Sequence, residues 1–218
     1  DRNNISRTWM DHGFWPLVAL NLYISQSGDK DILFERTGFF ESDRVDTVLE
    51  HILVEHQRPF TKIGKHGNFL LEGADWNEGL DMAKENGESV AFTAAYAGNL
   101  FDLGSLLEKI NYKKEVINEL RQKANSLAEH IRKDEWIKLD SGYSFFNGYY
   151  DNLGRRVEGD HKHGVRMTLT GQVFPIMSGV ATDEQVREIY KSAKRYLWDR
   201  VLEGFRLNTD FKEIQPDL

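Results

Sequence analysis

The stretch SVAFTAAYAGNLFDLGSLLEKI, Ser89 to Ile110, limits the fold more than any other part of the chain. It is apolar over a wide helical face and rich in alanine, so a helix here must be buried by its neighbours. A few residues on, Val116, Leu120, Leu127 and Ile131 recur at helical spacing and predict a second, amphipathic helix. So short a connection joins antiparallel neighbours. WPLVALNLYISQSGD reads as another helix, with Pro16 in its first turn and Gly28 just past its end. Val45, Val48, Leu49, Ile52 and Leu53 make an apolar stripe that stops before Pro59. Thr182 and Gln185 form a capping box ahead of Val186, Ile189, Tyr190, Ala193 and Leu197, a helix expected to extend toward Val201. The predicted class is all-α: helix hairpins packed side by side, with polar and aromatic loops gathered at one end.

Two segments do not read as helix, residues 60–81 and residues 142–172. In the second, an aromatic run, the turn residues NLG and the following RRVEG predict a β-hairpin. Composition narrows the function. The net charge of −7 argues against a nucleic-acid binder, which needs a basic face. No uninterrupted apolar run reaches the roughly 18–20 residues that span a bilayer, so no membrane association is expected. With no cysteine, thiolate zinc sites and disulfides are excluded. The opening DRNNISRTW and the closing FRLNTDFKEIQPDL both read as interior sequence, so the chain is expected to be part of a longer polypeptide.

Within residues 70–81, LLEGADWNEGLD, small residues permit a tight backbone and Asp75, Trp76, Asn77 and Glu78 follow together. A sugar ring has an apolar C–H face and a rim of hydroxyls, which an aromatic plane flanked by carboxylates and an amide complements. A carboxyl there can also protonate a glycosidic oxygen if burial raises its pKa. The ordinary reading is that the acids tie down a loop and Trp76 fills the core. Composition and spacing leave both readings open.

The wider pattern resembles glycoside hydrolase family 94, the cellobiose and chitobiose phosphorylases and related β-glucan phosphorylases. GADWNEGLD is similar to the family's GDWNDGMN-type motif. TWMDHGFWPLVALNLYISQSGDKDIL, NGYYDNLGRRVEGD and RMTLTGQVFPIMSGVAT resemble further family blocks, in the family's order. The resemblance implies part of one (α/α)6 barrel catalytic domain, with residues 1–218 covering a fragment of it. It implies inverting phosphorolysis of a β-linked oligosaccharide, inorganic phosphate being the co-substrate and no other cofactor being needed. Trp76 aligns with the sugar-contacting tryptophan and Glu78 with the general acid. The family's usual acid is aspartate; the extra methylene of Glu78 moves the carboxyl by roughly 1.5 Å, and a misplacement of about 1 Å can cost around 10²-fold. Asp75 and Asn77 are taken as sugar or loop-orienting contacts.

Asp11, and more weakly His12, lie in the block that matches the family's paired aspartates and are candidates for the substrate side. Tyr149, Tyr150 and Asp151 are expected to border the sugar channel, with Tyr150 chosen as the substrate contact and at least one of the tyrosines expected to pack. Arg155, Arg156, His161, Lys162, His163, Arg166, Thr168 and Thr170 are candidates for a basic rim, with Arg166 and His163 chosen as phosphate contacts. The better-known phosphate contacts are implied to lie beyond residue 218. No metal site is expected. A homodimer formed through the full-length chain and a cytoplasmic location complete the expectations. Two alternatives remain: an inverting hydrolase with Glu158 or Asp160 as base, and a non-catalytic carbohydrate-binding module.

Overall fold

Side-chain caps start three of the described helices. Ser89 Oγ accepts the Phe92 N–H at 3.0 Å and opens α3, Val90–Lys109. Helix α1, Phe14–Ser27, ends on Gly28 in the left-handed conformation (φ 74°). Thr47 caps α2, Val48–Gln57, by accepting the Glu50 N–H. Val45, counted above as the first residue of that stripe, instead lies in a strand and is 47% exposed. Helix α4, Lys114–Asp134, follows α3 closely, and α6, Asp183–Tyr196, starts at the expected Thr182–Gln185 capping box. It stops short of Val201. The structure, a computed structural model, describes residues 9–72 and 83–211.

One further helix, α5, Thr170–Met177, begins inside the segment expected to be non-helical. Eight residues are too few to show a period, and Pro175 lies within it, which hides the helix from sequence reading. Gly179, with φ of 71°, follows its end.

Three of these helices run in one direction. Phe14 and Phe92, from the first turns of α1 and α3, meet Phe174 in the middle of α5, with ring centroids 4.7–6.1 Å apart. Farther along, Asn21, Ile24 and Ser25 of α1 share a cleft with Asp102, Ser105, Leu106 and Lys109 of α3. Gly98 of α3 abuts Ser178 just past α5: a Cβ on Gly98 would lie 2.7 Å from Ser178 Cβ. Helix α4 runs back along α3, since Gly104 faces Arg121 and Ile117. Among the described residues, α3 is the wall against which α1, α4 and α5 pack. By length and composition it could cross a bilayer, but its apolar window is 83% buried inside the fold, which makes it a core helix.

The strands are short and pair antiparallel. They are β1 (Arg36–Gly38) with β2 (Val45–Thr47), and β3 (Phe69–Leu70) with β4 (Glu88–Ser89) and β7 (Tyr149–Tyr150). The others are β5 (Trp136–Lys138) with β6 (Ser144–Phe146), β8 (Gly159–His161) with β9 (Gly164–Arg166), and β10 (Trp198–Asp199) with β11 (Gly204–Phe205). The all-α expectation with one hairpin is therefore corrected to a mostly helical fold carrying several small hairpins. Strands of two or three residues show no alternation for a sequence to reveal.

Candidate active site

The N-terminal ends of α1, α3 and α5 define one end of the helix layer, and of the sequence-derived candidates Asp11, Tyr149, Thr168 and Thr170 lie there. Asp75, Trp76, Asn77 and Glu78 lie outside the described residues. Their described flanks are anchored: the Leu71 N–H donates to Gly87 O at 2.9 Å, beside β3 and β4, and β4 runs directly into α3. Glu72 accepts from Arg58 at 2.8 Å.

Asp11 sits in a 3-10 turn, Met10–Gly13, that leads into α1. It is 7% exposed, and its Oδ2 accepts the Trp15 indole N–H at 3.0 Å. Tyr96 of α3 donates its hydroxyl to Met10 O at 2.7 Å and so fixes this turn. Burial, then the nearby charges of Asp11 and Glu55, push the Tyr96 hydroxyl pKa up. His12 is exposed, with its ring 5.0 Å from that of Trp9.

Tyr149 and Tyr150 are successive residues of a strand and leave it on opposite sides. Tyr149 donates to Thr170 Oγ1 at 3.0 Å, at the start of α5. Tyr150 instead donates to the buried Glu135 at 2.9 Å, receives Arg156 Nε at 3.3 Å, and stacks flat on His66 at 3.8 Å. Burial is the main cause of its hydroxyl pKa rising to about 12. Of the two tyrosines, it is Tyr149 that the fold brings to the helix N-terminal end. Asp151 holds the NLG turn by accepting from the Leu153 and Arg155 N–H groups and from Arg155 Nε.

The expected basic rim divides into separate roles. Arg155 pairs with Asp151, and Arg156 donates to Asp134 O. His161 Nε2 bonds Val157 O at 2.9 Å. Thr168 donates to Glu158, while Thr170 accepts from Tyr149. His163 is exposed in the turn between β8 and β9, beside exposed Lys162. Arg166 lies at the other end of that hairpin, opposite Gly159 and 6% exposed, with its guanidinium 4.8 Å from the Phe211 ring centre. The structure thus does not bring the two chosen phosphate contacts together.

Glu158 is a buried carboxyl at the junction of β7 with α5. It is 3% exposed; Thr168 Oγ1 donates to it at 2.5 Å and the Tyr149 N–H at 3.2 Å. Burial raises its pKa to about 7. Gly148 and Gly171 meet beside it, and a Cβ on Gly148 would lie 2.6 Å from the carboxylate. These protein donors occupy the carboxyl that the hydrolase alternative would use as a base, while Asp160 is exposed. Nothing in the sequence marks the two glycines as a clamp. Glu55 was also missed, lying on the polar flank of the α2 stripe; Gly13 and Tyr96 border it.

With this geometry in hand, comparison with known proteins is informative. The 3-O-beta-D-glucopyranosyl-beta-D-glucuronide phosphorylase of Paenibacillus borealis is 25% identical to this chain over 178 residues, covering 81% of the chain. The chain spans only 22% of that relative's length. A family model, the glycosyl hydrolase 94 superfamily catalytic domain, matches from residue 1 to residue 213. The order of blocks running from WMDHG through GADWNEG to RMTLTGQ therefore has a common source, and the chain belongs to the glycosyl hydrolase 94 superfamily through its catalytic domain.

Proposed function

We propose that the protein containing this chain carries out inverting phosphorolysis of a β-glucoside or β-glucan oligosaccharide. Glu78, as general acid, gives its proton to the leaving glycosidic oxygen. Phosphate attacks the opposite face of the anomeric carbon, and the products are a sugar 1-phosphate and a shortened sugar. Phosphate is already an anionic nucleophile, so one protein carboxyl suffices, where an inverting hydrolase needs a second to activate water. Trp76, Asp75, Asn77 and Asp11 are the sugar contacts in this reading. Arg166 is the better-placed phosphate candidate, because His163 sits out on an exposed turn.

The carrying observation is the superfamily match over residues 1–213, which takes in Asp11, Glu78 and Arg166 together. The helix layout supports it: three parallel helices, each of α1, α3 and α5 followed by α2, α4 and α6 respectively, is the repeat that an (α/α)6 barrel uses. On this reading the chain supplies half of the ring, and the enzyme is a cytoplasmic homodimer that conserves bond energy as a sugar phosphate.

The test is to incubate the full-length enzyme with β-linked glucose disaccharides, longer β-glucans and a β-glucosyl glucuronide, with and without phosphate. The glucuronide is included because the relative's name carries it. Phosphate-dependent sugar 1-phosphate is expected. Free sugar released equally without phosphate means hydrolysis instead, and sugar binding without turnover means a binding module.

A further inference from the structure

Glu55, in the last turn of α2, carries a carboxyl that the described chain leaves unanswered. The residue is partly exposed, yet its Oε2 is buried and has no hydrogen-bond partner. Its position is tightly defined. A Cβ on Gly13 would lie 3.0 Å from Glu55 Cβ and 3.1 Å from the Tyr96 hydroxyl, so all three crowd one spot two residues from Asp11.

Several donors of the neighbouring elements are committed elsewhere. The Tyr96 hydroxyl is on Met10 O and the Trp15 indole is on Asp11. Arg58, three residues beyond Glu55, is bonded to Glu72. His56 bonds Ile52 O through Nδ1 at 2.8 Å, and its Nε2 meets Asn99 Nδ2 at 3.2 Å; the same Asn99 nitrogen donates to Phe14 O. An uncompensated buried carboxyl is costly, which makes it informative when it sits beside a ligand site.

We infer that Glu55 is a substrate-contacting residue that hydrogen-bonds hydroxyls of the neutral sugar bound beside Asp11. This rests on the sugar reading proposed above. Burial alone raises the Glu55 pKa, to about 7, with no cation acting against it. A sugar hydroxyl suits such a group, because it donates to the carboxylate and accepts from the carboxylic acid. Phosphate or a uronate does not suit it, since the ionised form and Asp11 would both repel an anion. Tyr96 feels the charges of Glu55, Asp11 and Arg58 together, and His12 lies in the turn that abuts Glu55.

The experiment uses the full-length enzyme with Glu55→Ala and the isosteric Glu55→Gln. Glu55→Ala should raise KM for a β-linked glucose disaccharide about 10- to 100-fold, as expected for losing a hydrogen bond to a charged group. KM for phosphate should stay within twofold, the melting temperature should not fall, and Glu55→Gln should recover part of the affinity. A disaccharide KM within twofold of wild type overturns the inference. So does a lowered melting temperature with sugar KM unchanged, which would make Glu55 a structural partner of another part of the polypeptide. If the wild-type enzyme shows no phosphorolysis, the proposed function fails separately, and calorimetric titration with the disaccharide decides for Glu55. Binding by wild type and loss in Glu55→Ala supports the contact; equal binding, or none by either, overturns it. Should Glu55→Ala fail to fold, Glu55→Gln carries the same comparisons.

Discussion

Burial brings two glutamates to neutrality and drives one histidine the other way. Glu158 rises from an ordinary 4.5 to about 7, so the folded state holds this proton more tightly than the unfolded chain. Its contribution to stability is full below about pH 4.5 and is lost as pH rises through 7. Burial lowers His56 from 6.5 to about 4, partly offset by its bond to Ile52 O. That contribution is present above pH 6.5 and is lost as pH falls toward 4. Glu158→Gln should therefore flatten the fall in melting temperature between pH 4.5 and 7, measured by circular dichroism against wild type; an unchanged slope would remove Glu158 as its source. At the reaction itself, Glu78→Gln should lower phosphorolysis by about 10²–10⁴-fold, the range for general acid help. The assay is sugar 1-phosphate release, and full retained activity would dismiss Glu78 as the acid.

Helices are the level at which the sequence speaks most clearly, and where they touch is the level at which it is silent. Ser89, Gly28 and Thr182 act as caps at the positions their residue types indicate, because capping is a local interaction between neighbours in the chain. Thr182→Ala should cost about 1 kcal/mol, read from urea unfolding, through loss of the capping box. Helix α5 stayed hidden because its stability comes from packing on α3 rather than from its own composition. Gly98 makes that packing possible by letting Ser178 approach. Gly98→Ala should destabilise by about 1–3 kcal/mol, as overpacking does, and a neutral result would mean that α5 is free to shift. In the candidate site, Asp11 lies in the turn that leads into α1, ahead of a helix as the sequence reads. The sequence holds no local basis for choosing Tyr150 over Tyr149, because which side of β7 faces α5 depends on strand register across distant residues. Glu55 and Glu158 owe their character to burial by other elements, which no local pattern encodes.

At the scale of the molecule, α5 keeps Val173, Ile176 and Met177 at 43%, 38% and 59% exposed, an apolar face at helical spacing. Faces of this kind call for a neighbour. The chain produced alone should self-associate with concentration in analytical ultracentrifugation, and replacing Val173 and Met177 with glutamine should reduce that association. The same architecture has a consequence in time as well as in space. Helix α1 leaves the ribosome before α3, the wall it must lie against; their starts are roughly 75 residues apart, or about 4–15 s of synthesis at ~5–20 residues per second. During that interval the side of α1 that lies against α3 lacks that native surface. Synthesis of this region therefore includes a period of exposure set by the order of the chain, during which a chaperone has its opportunity and slow translation carries its hazard.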